Sequence, residues 1–116
     1  MSNDSPFSLK TLLEQCGGNK DIGKVILDEF LIQLAADTKE LEACLASGDL
    51  GQVGKVGHRL KGTASVLGAE VLHSLCFTLE IAGKNGNAEE AAETYAALIV
   101  EADRCAGAVP GAKGQL

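Results

Sequence analysis

The chain has few aromatic residues and few prolines. Its 116 residues include no tryptophan, one tyrosine, three phenylalanines and only two prolines. Apolar residues nevertheless make up 46% of the sequence, so the core of this single domain must be built from Leu, Val, Ile and Ala. No stretch shows the alternation of apolar and polar residues that is typical of strands. The scarcity of proline and the abundance of Ala, Leu, Glu and Lys therefore favour an all-α domain.

The sequence also lacks an excess of basic residues and any long apolar run. A formal net charge of −6 disfavours nucleic acid and anionic membrane surfaces as partners, since both attract basic proteins. No run approaches the roughly 18 apolar residues of a membrane span, and residues 1–7 lack the apolar stretch of a signal peptide. We therefore expect a cytoplasmic protein whose cysteines are free, buried thiols. These cysteines are too widely spaced for a zinc site, and they are Cys16, Cys44, Cys76 and Cys105.

Five stretches carry apolar residues at helical spacing, separated by Gly, Asn and Asp residues that end or begin helices. The pattern predicts an antiparallel four-helix bundle with a short additional N-terminal helix, in a domain that covers residues 7–107. Asp37-Thr38 marks a bend or a break in the second helix. We expect a disordered N-terminus over residues 1–6 and a flexible C-terminal tail over residues 108–116. The predicted helices span residues 7–15, 20–47, 50–67, 69–84 and 88–106.

His58 lies on the polar face of the third predicted helix. The apolar residues of this stretch fall on the opposite face, which is therefore the core face. Most exposed histidines have no function, and a face that carries lysines is usually only solvated. Glycine inside a helix, however, costs about 0.5–1 kcal/mol relative to alanine, so several glycines on one face indicate that another protein approaches closely there. The residues predicted to surround His58 are Gly51, Gly54, Lys55, Lys61, Gly62 and Ser65.

The motif around His58 resembles the signature of histidine-containing phosphotransfer (HPt) domains. Here it reads His58-Arg59-Leu60-Lys61-Gly62-Thr63-Ala64, followed by Leu67-Gly68-Ala69 and by Leu75-Cys76-x-x-Leu79-Glu80. The family carries His-x-x-Lys-Gly-Ser/Ala, then a Leu-Gly-Ala turn and a Leu-Cys-x-x-Leu-Glu helix. Thr63 stands where the family often has Ser or Ala, a departure for which we expect no consequence. The N-terminal half is similar too, so the resemblance covers nearly the whole chain and implies the same four-helix bundle.

The resemblance implies a role for three residues of this motif. His58 would hold a phosphoryl group, for which a neutral imidazole has a lone pair available, and in the family this group sits on the ring nitrogen farther from the backbone. Lys61 would offset the charge of that group, and Gly62 would leave room beside the ring. From the helix geometry we add Lys55, Arg59, Gly54 and Ser65 as docking positions. For Lys55 and Arg59, an ordinary solvated charge is an equally good interpretation.

Neither a phosphate-binding Gly-rich loop nor a metal-ligand cluster is found in the sequence. The resemblance implies that the chain binds no cofactor and that Mg²⁺ belongs to a receiver domain, the partner that donates or accepts the phosphoryl group. We expect a monomeric phosphoryl carrier without autokinase activity, acting with receiver domains, a hybrid sensor histidine kinase, or both. The alternative is a non-phosphorylated helical adaptor that only binds receivers. Glu70-x-x-His73 has the Glu-x-x-His spacing of the metal ligands in di-iron four-helix bundles. Only one such motif is present, so we interpret His73 as a structural or surface residue.

Overall fold

The computed structural model describes residues 5–116, and within them all regular structure is helical. Two- and three-residue connections reverse the chain between the long helices, so that α2 to α5 form an antiparallel bundle with α1 packed against α2 and α3. The fold class predicted from the sequence is confirmed. None of the described helices combines the length and the apolar character needed to cross a bilayer. The helices are α1 (Leu9–Gln15), α2 (Lys20–Ser47), α3 (Leu50–Leu67), α4 (Glu70–Lys84) and α5 (Ala88–Gln115).

Local sequence signals account for most helix ends. The side chains of Asn19, Asp49 and Asn87 each accept a hydrogen bond from the backbone N–H three residues further on. Gly48 and Gly68 end α2 and α3 with φ of 75° and 63°, a left-handed conformation that favours glycine. The predicted bounds of α2 and α3 are therefore confirmed, while α1 begins two residues later than predicted and α4 one residue later.

The core is aliphatic, as the composition predicts. Its one aromatic pair, among the described residues, is Phe7 and Phe30, whose ring centroids lie 6.4 Å apart in an edge-to-face arrangement. Three of the four cysteines are buried free thiols and Cys16 is partly exposed. Burial raises the pKa of the Cys76 thiol to about 12. Fully buried side chains include Leu12, Leu27, Leu41, Val53, Val56, Leu60, Leu67, Leu72, Leu79 and Leu98.

The predicted flexible tail is wrong, because α5 continues through residues 107–115. Val109 and Ala112 are buried in the core, and Lys113 Nζ lies 2.7 Å from Asp28 Oδ1 of α2. Pro110 is exposed and cannot donate a backbone hydrogen bond, yet the helix continues, since burial of Val109 and Ala112 offsets that loss. The domain therefore extends well beyond the predicted boundary at residue 107.

The predicted disordered N-terminus is wrong for Pro6, which is buried. Ser5 Oγ donates to the carbonyl oxygen of Phe7 at 2.7 Å, and Ser8 N–H donates to the carbonyl oxygen of Leu67 at 2.9 Å. These contacts fix the segment against the end of α3. Residues 1–4 of that prediction lie outside the described residues.

The expected bend or break at Asp37-Thr38 does not interrupt α2, which is helical from Lys20 to Ser47. The Thr38 hydroxyl donates to the carbonyl oxygen of Leu34 at 2.9 Å, so it is satisfied within the helix.

Candidate functional site

His58 stands on the surface of α3, where the sequence predicts it. Its side chain is 70% exposed, and its Nδ1 lies 2.9 Å from Glu80 Oε2 of α4. Among the described residues, no group is hydrogen-bonded to the other ring nitrogen, Nε2. The imidazole is therefore held at Nδ1 by Glu80 of α4, and Nε2 is open to solvent.

Glu80 is a buried carboxylate surrounded by three basic groups. Lys61 Nζ lies 2.7 Å from Oε1, while Lys84 Nζ lies 3.4 Å from Oε2, the oxygen that also contacts His58. The hydrogen bond from Lys61, with smaller contributions from His58 and Lys84, lowers the pKa of Glu80 to about 2, although burial opposes that shift. Glu80 is therefore ionised across the whole physiological range.

The ionised Glu80 determines which nitrogen of His58 carries a proton. A carboxylate can only accept hydrogen bonds, so Nδ1 of His58 must be the donor in this pair. In the neutral imidazole the remaining nitrogen, Nε2, then has the free lone pair. This arrangement presents a nucleophilic nitrogen to the solvent.

The role of Glu80 is not predicted from the sequence. The signal that was available is chemical: an acidic residue lies among the apolar residues of the α4 core face, next to Leu79 and four residues after Cys76. A carboxylate in such a position needs a positively charged partner. The sequence does not show that this partner lies on α3.

Lys61 lies at the edge of the site and is only 23% exposed. Its Nζ contacts Glu80 and also lies 5.1 Å from the centre of the Phe77 ring. Phe77 and Lys84, both more exposed than Lys61, complete this side of the site and are not among the residues predicted from the sequence. The ammonium of Lys61 and the imidazole of His58 therefore contact the two oxygens of the same carboxylate.

The glycines near His58 differ in their surroundings. Gly62 is exposed, and a Cβ added there would have nothing within 4 Å, so the space beside the ring is open. Gly54, by contrast, is buried, and a Cβ there would lie 3.3 Å from the carbonyl oxygen of Glu80. A Cβ on Gly83 would lie 2.5 Å from the backbone nitrogen of Gly54. Gly54 is therefore not exposed as the helix geometry predicted, because it allows the backbones of α3 and α4 to approach, and its part in docking stays a prediction.

Arg59 faces α2 instead of His58. Its Nη2 lies 2.6 Å from Asp37 Oδ1 and 2.9 Å from Glu40 Oε1, and these carboxylates raise its pKa. Gln33 donates to the other oxygen of Asp37 at 3.3 Å and accepts from Thr63 at 2.8 Å. Arg59 therefore belongs to a polar network that joins α2 and α3, and its charge is balanced there.

The other predicted docking residues, Lys55 and Ser65, are exposed. Within the described residues Lys55 forms no ion pair, so its charge is available to a partner. Glu70 and His73 are both exposed, and the described residues contain no group of three metal-ligand side chains. A crevice of about 520 Å³ opens beside the imidazole, and its lining consists of Gly51, Gly54, Lys55, His58, Glu80, Gly83 and Lys84.

Comparisons with known proteins agree with this architecture. A family model described as Hpt domain matches residues 25–108. The fold is similar to the crystal structure of histidine-containing phosphotransfer protein B (HptB) from Pseudomonas aeruginosa PAO1, with a TM-score of 0.89 and 21% sequence identity over 98% of this chain and 99% of that chain. No curated protein matches the chain. Because the family model covers well over half of the sequence, the chain belongs to the Hpt domain family, whose members carry phosphoryl groups in phosphorelays instead of acting as enzymes.

Proposed function

We propose that this Hpt domain accepts a phosphoryl group on Nε2 of His58 from the aspartyl phosphate of a receiver domain, and passes it to the aspartate of another receiver. The observation that carries the proposal is the contact between exposed His58 and ionised Glu80. It leaves the lone pair on the nitrogen that a partner can reach.

The transfer step follows from this geometry. Nε2 attacks the phosphorus, a P–N bond forms, and the P–O bond to the aspartyl group breaks, which releases a carboxylate on the receiver. The imidazole then holds a positive charge, since Nδ1 keeps its proton. Glu80 stabilises that charge at 2.9 Å, so no proton has to leave the ring during the step.

Lys61 offsets the charge of the phosphoryl group. A phosphoryl group brings about −1.5 to −2 charges, which compete with Glu80 for the ammonium of Lys61. Gly62 leaves the approach to Nε2 open, because nothing stands where its side chain would be. The chain itself binds no cofactor in this proposal, and the Mg²⁺ that neutralises the transferring group belongs to the receiver.

The receiver docks on the α3–α4 face. Phe77, which contacts Lys61, and Ile81, one turn further along α4, expose 49% and 37% of their surface, and the lysines around the crevice add positive charge. A receiver presents an acidic pocket, so apolar contact and opposite charge act together on this face. Partners of this chemistry are receiver domains, including those of hybrid sensor kinases.

The test is phosphoryl transfer from a phosphorylated receiver to the purified chain. The label should be acid-labile and base-stable, and His58→Gln should abolish it while the helical content stays unchanged. His73→Gln is the matched control, because His73 is the other histidine and is also exposed. Label on His58→Gln would disprove the acceptor assignment. Binding of receivers without any label on the wild-type chain would identify the adaptor alternative.

A further inference from the structure

The solvent-facing side of α2 is unusually apolar. Seven of the twelve exposed positions between residues 21 and 46 are Ile, Val or Ala. Ile22, Val25 and Ile32 expose 47%, 58% and 66% of their surface. β-Branched residues are not favoured in solvated helices, so their position here indicates a protein partner. The exposed positions are Asp21, Ile22, Val25, Asp28, Glu29, Ile32, Ala35, Ala36, Lys39, Glu42, Ala43 and Ala46.

Eight of these exposed residues form a continuous seam, which we call the α2 seam. They are separated alternately by three and four positions, which is the spacing of the a and d positions in a coiled coil. At 1.5 Å per residue the seam is roughly 36 Å long. The α2 seam consists of Ile22, Val25, Glu29, Ile32, Ala36, Lys39, Ala43 and Ala46.

The α2 seam is complementary to itself in the antiparallel direction. A two-fold axis at residue 34 places Ile22 against the second copy's Ala46 and Val25 against its Ala43. It also places Ile32 against Ala36, and Glu29 against Lys39. Each layer therefore pairs a large side chain with a small one, or an acid with a base. A parallel arrangement would instead set Glu29 against Glu29 and Lys39 against Lys39.

We propose that the α2 seam is the interface of an antiparallel homodimer of this chain. A groove of about 590 Å³ between α2 and α5 adjoins the seam, and Ala35, Ala36 and Lys39 contribute to its wall together with Ala102 and Ala106 of α5. In the paired arrangement Ile32 of the second copy lies at this groove, where it buries apolar surface on both copies. The proposal replaces the monomer expected from the sequence.

The dimer leaves both phosphoryl acceptors accessible. The helix α2 packs against α3 and α5, and α4 packs against the same two helices, so α2 and α4 lie diagonally opposite in the bundle. His58 contacts α4 and is therefore directed away from the α2 seam. The proposed self-association rests on the α2 seam and the groove beside it, and it does not depend on the proposed phosphoryl transfer.

Sedimentation equilibrium between about 1 µM and 500 µM tests the proposal. The wild-type chain should dimerise reversibly, and Val25→Asp should make it monomeric over this range. Val71→Asp is the matched control, since Val71 is a half-exposed valine on α4, and it should leave dimerisation unchanged. A monomeric wild-type chain would overturn the proposal. So would equal weakening by the two variants. If the wild-type chain is monomeric and Val25→Asp no longer binds a receiver, the α2 seam is a receiver-binding surface instead.

Charge exchange tests the direction of pairing. Glu29→Lys and Lys39→Glu should each weaken the homodimer about tenfold, because two attractive pairs become repulsive. The double variant should dimerise like the wild type, as should an equimolar mixture of the two single variants. If the double variant stays weak, the antiparallel register is wrong.

Cross-linking gives an independent measurement of the register. Position 35 lies next to the proposed two-fold axis, so Ala35→Cys should form a disulfide between copies under mild oxidation. Ala46→Cys lies far from the axis and is the control. Both are made in a Cys16→Ser background, because Cys16 is partly exposed. Equal cross-linking of the two variants would contradict the register.

Discussion

Replacing Glu80 by Gln separates the charge of this residue from its hydrogen bond. The amide oxygen of Gln can still accept from Nδ1 of His58, and the side chain keeps nearly the same volume, so the imidazole should keep its orientation. The variant loses the negative charge that, in the proposed transfer step, stabilises the imidazolium as Nε2 attacks. We therefore expect Glu80→Gln to fold normally and to transfer more slowly.

The expected slowing can be calculated from hydrogen-bond energies. A hydrogen bond to a charged group contributes about 1.5–3 kcal/mol, and one between neutral groups about 0.5–1.5 kcal/mol. The difference, roughly 1–1.5 kcal/mol, corresponds to a five- to twelvefold slower transfer. Glu80→Ala removes the whole hydrogen bond and should slow transfer about ten- to a hundredfold. Single-turnover transfer from a phosphorylated receiver measures both.

A second measurement distinguishes positioning of the imidazole from a merely structural role. ¹⁵N chemical shifts of His58 report which ring nitrogen holds the proton. The wild type and Glu80→Gln should both hold it on Nδ1, while Glu80→Ala should lose this preference. A wild-type or faster rate in Glu80→Gln would refute the reasoning. It would mean that the Lys61 ammonium, released from Glu80, outweighs the charge lost beside the ring.

Four further predictions concern neighbouring residues. Lys61→Ala should slow single-turnover transfer roughly ten- to a hundredfold without abolishing it, and an unchanged rate would limit the role of Lys61 to its ion pair with Glu80. Gly62→Gln should raise the melting temperature, because glycine costs up to about 1 kcal/mol in a helix, and should transfer far more slowly; lost stability would contradict the open space found there. Arg59→Ala leaves buried Asp37 without its positively charged partner, so it should lower the free energy of unfolding in urea by about 1–3 kcal/mol and keep the transfer rate near that of the wild type. Slower transfer with unchanged stability would instead indicate that Arg59 takes part in docking. The folded-state pKa of Glu80 is about 2, below the ordinary value of 4.5. The contribution of ionised Glu80 to the free energy of unfolding is therefore complete at a pH well above 4.5 and is lost as the pH falls towards 2. In urea unfolding, the free energy of unfolding should therefore decrease less between neutral and acid pH for Glu80→Gln than for the wild type. Equal decreases would contradict the stabilising role of ionised Glu80.

The sequence predicted the elements that depend on local signals. The bounds of α2 and α3 follow from Asn19, Asp49 and the two glycines that end these helices, because capping is determined by adjacent residues. The exposure of His58 followed from periodicity alone, since an apolar face opposite to it leaves no other position. The acceptor role and those of Lys61 and Gly62 stay predictions that the proposed experiments test.

What the sequence did not predict depends on packing between helices. Pro110, Gly111 and Gly114 suggest a loose tail, but burial of Val109 and Ala112 against the core determines the actual structure. A single helix also does not show which edge of its polar face meets a neighbour. Arg59 and Gly54 flank His58 on the same helix, yet one meets α2 and the other meets α4. The role of Glu80 is likewise defined only once α3 and α4 are placed together.

The close approach of α3 and α4 at Gly54 and Gly83 has a consequence for signalling. Because two backbones meet there without intervening side chains, the separation of His58 and Glu80 is determined by main-chain geometry. The orientation of the imidazole is therefore established during folding, and a partner does not have to bear the entropic cost of ordering it. In the proposed transfer, different receivers would meet the same nitrogen in the same position. Differences in their transfer rates should then originate in how each receiver docks and in its own active site, so that one carrier can exchange phosphoryl groups with several partners without changing shape.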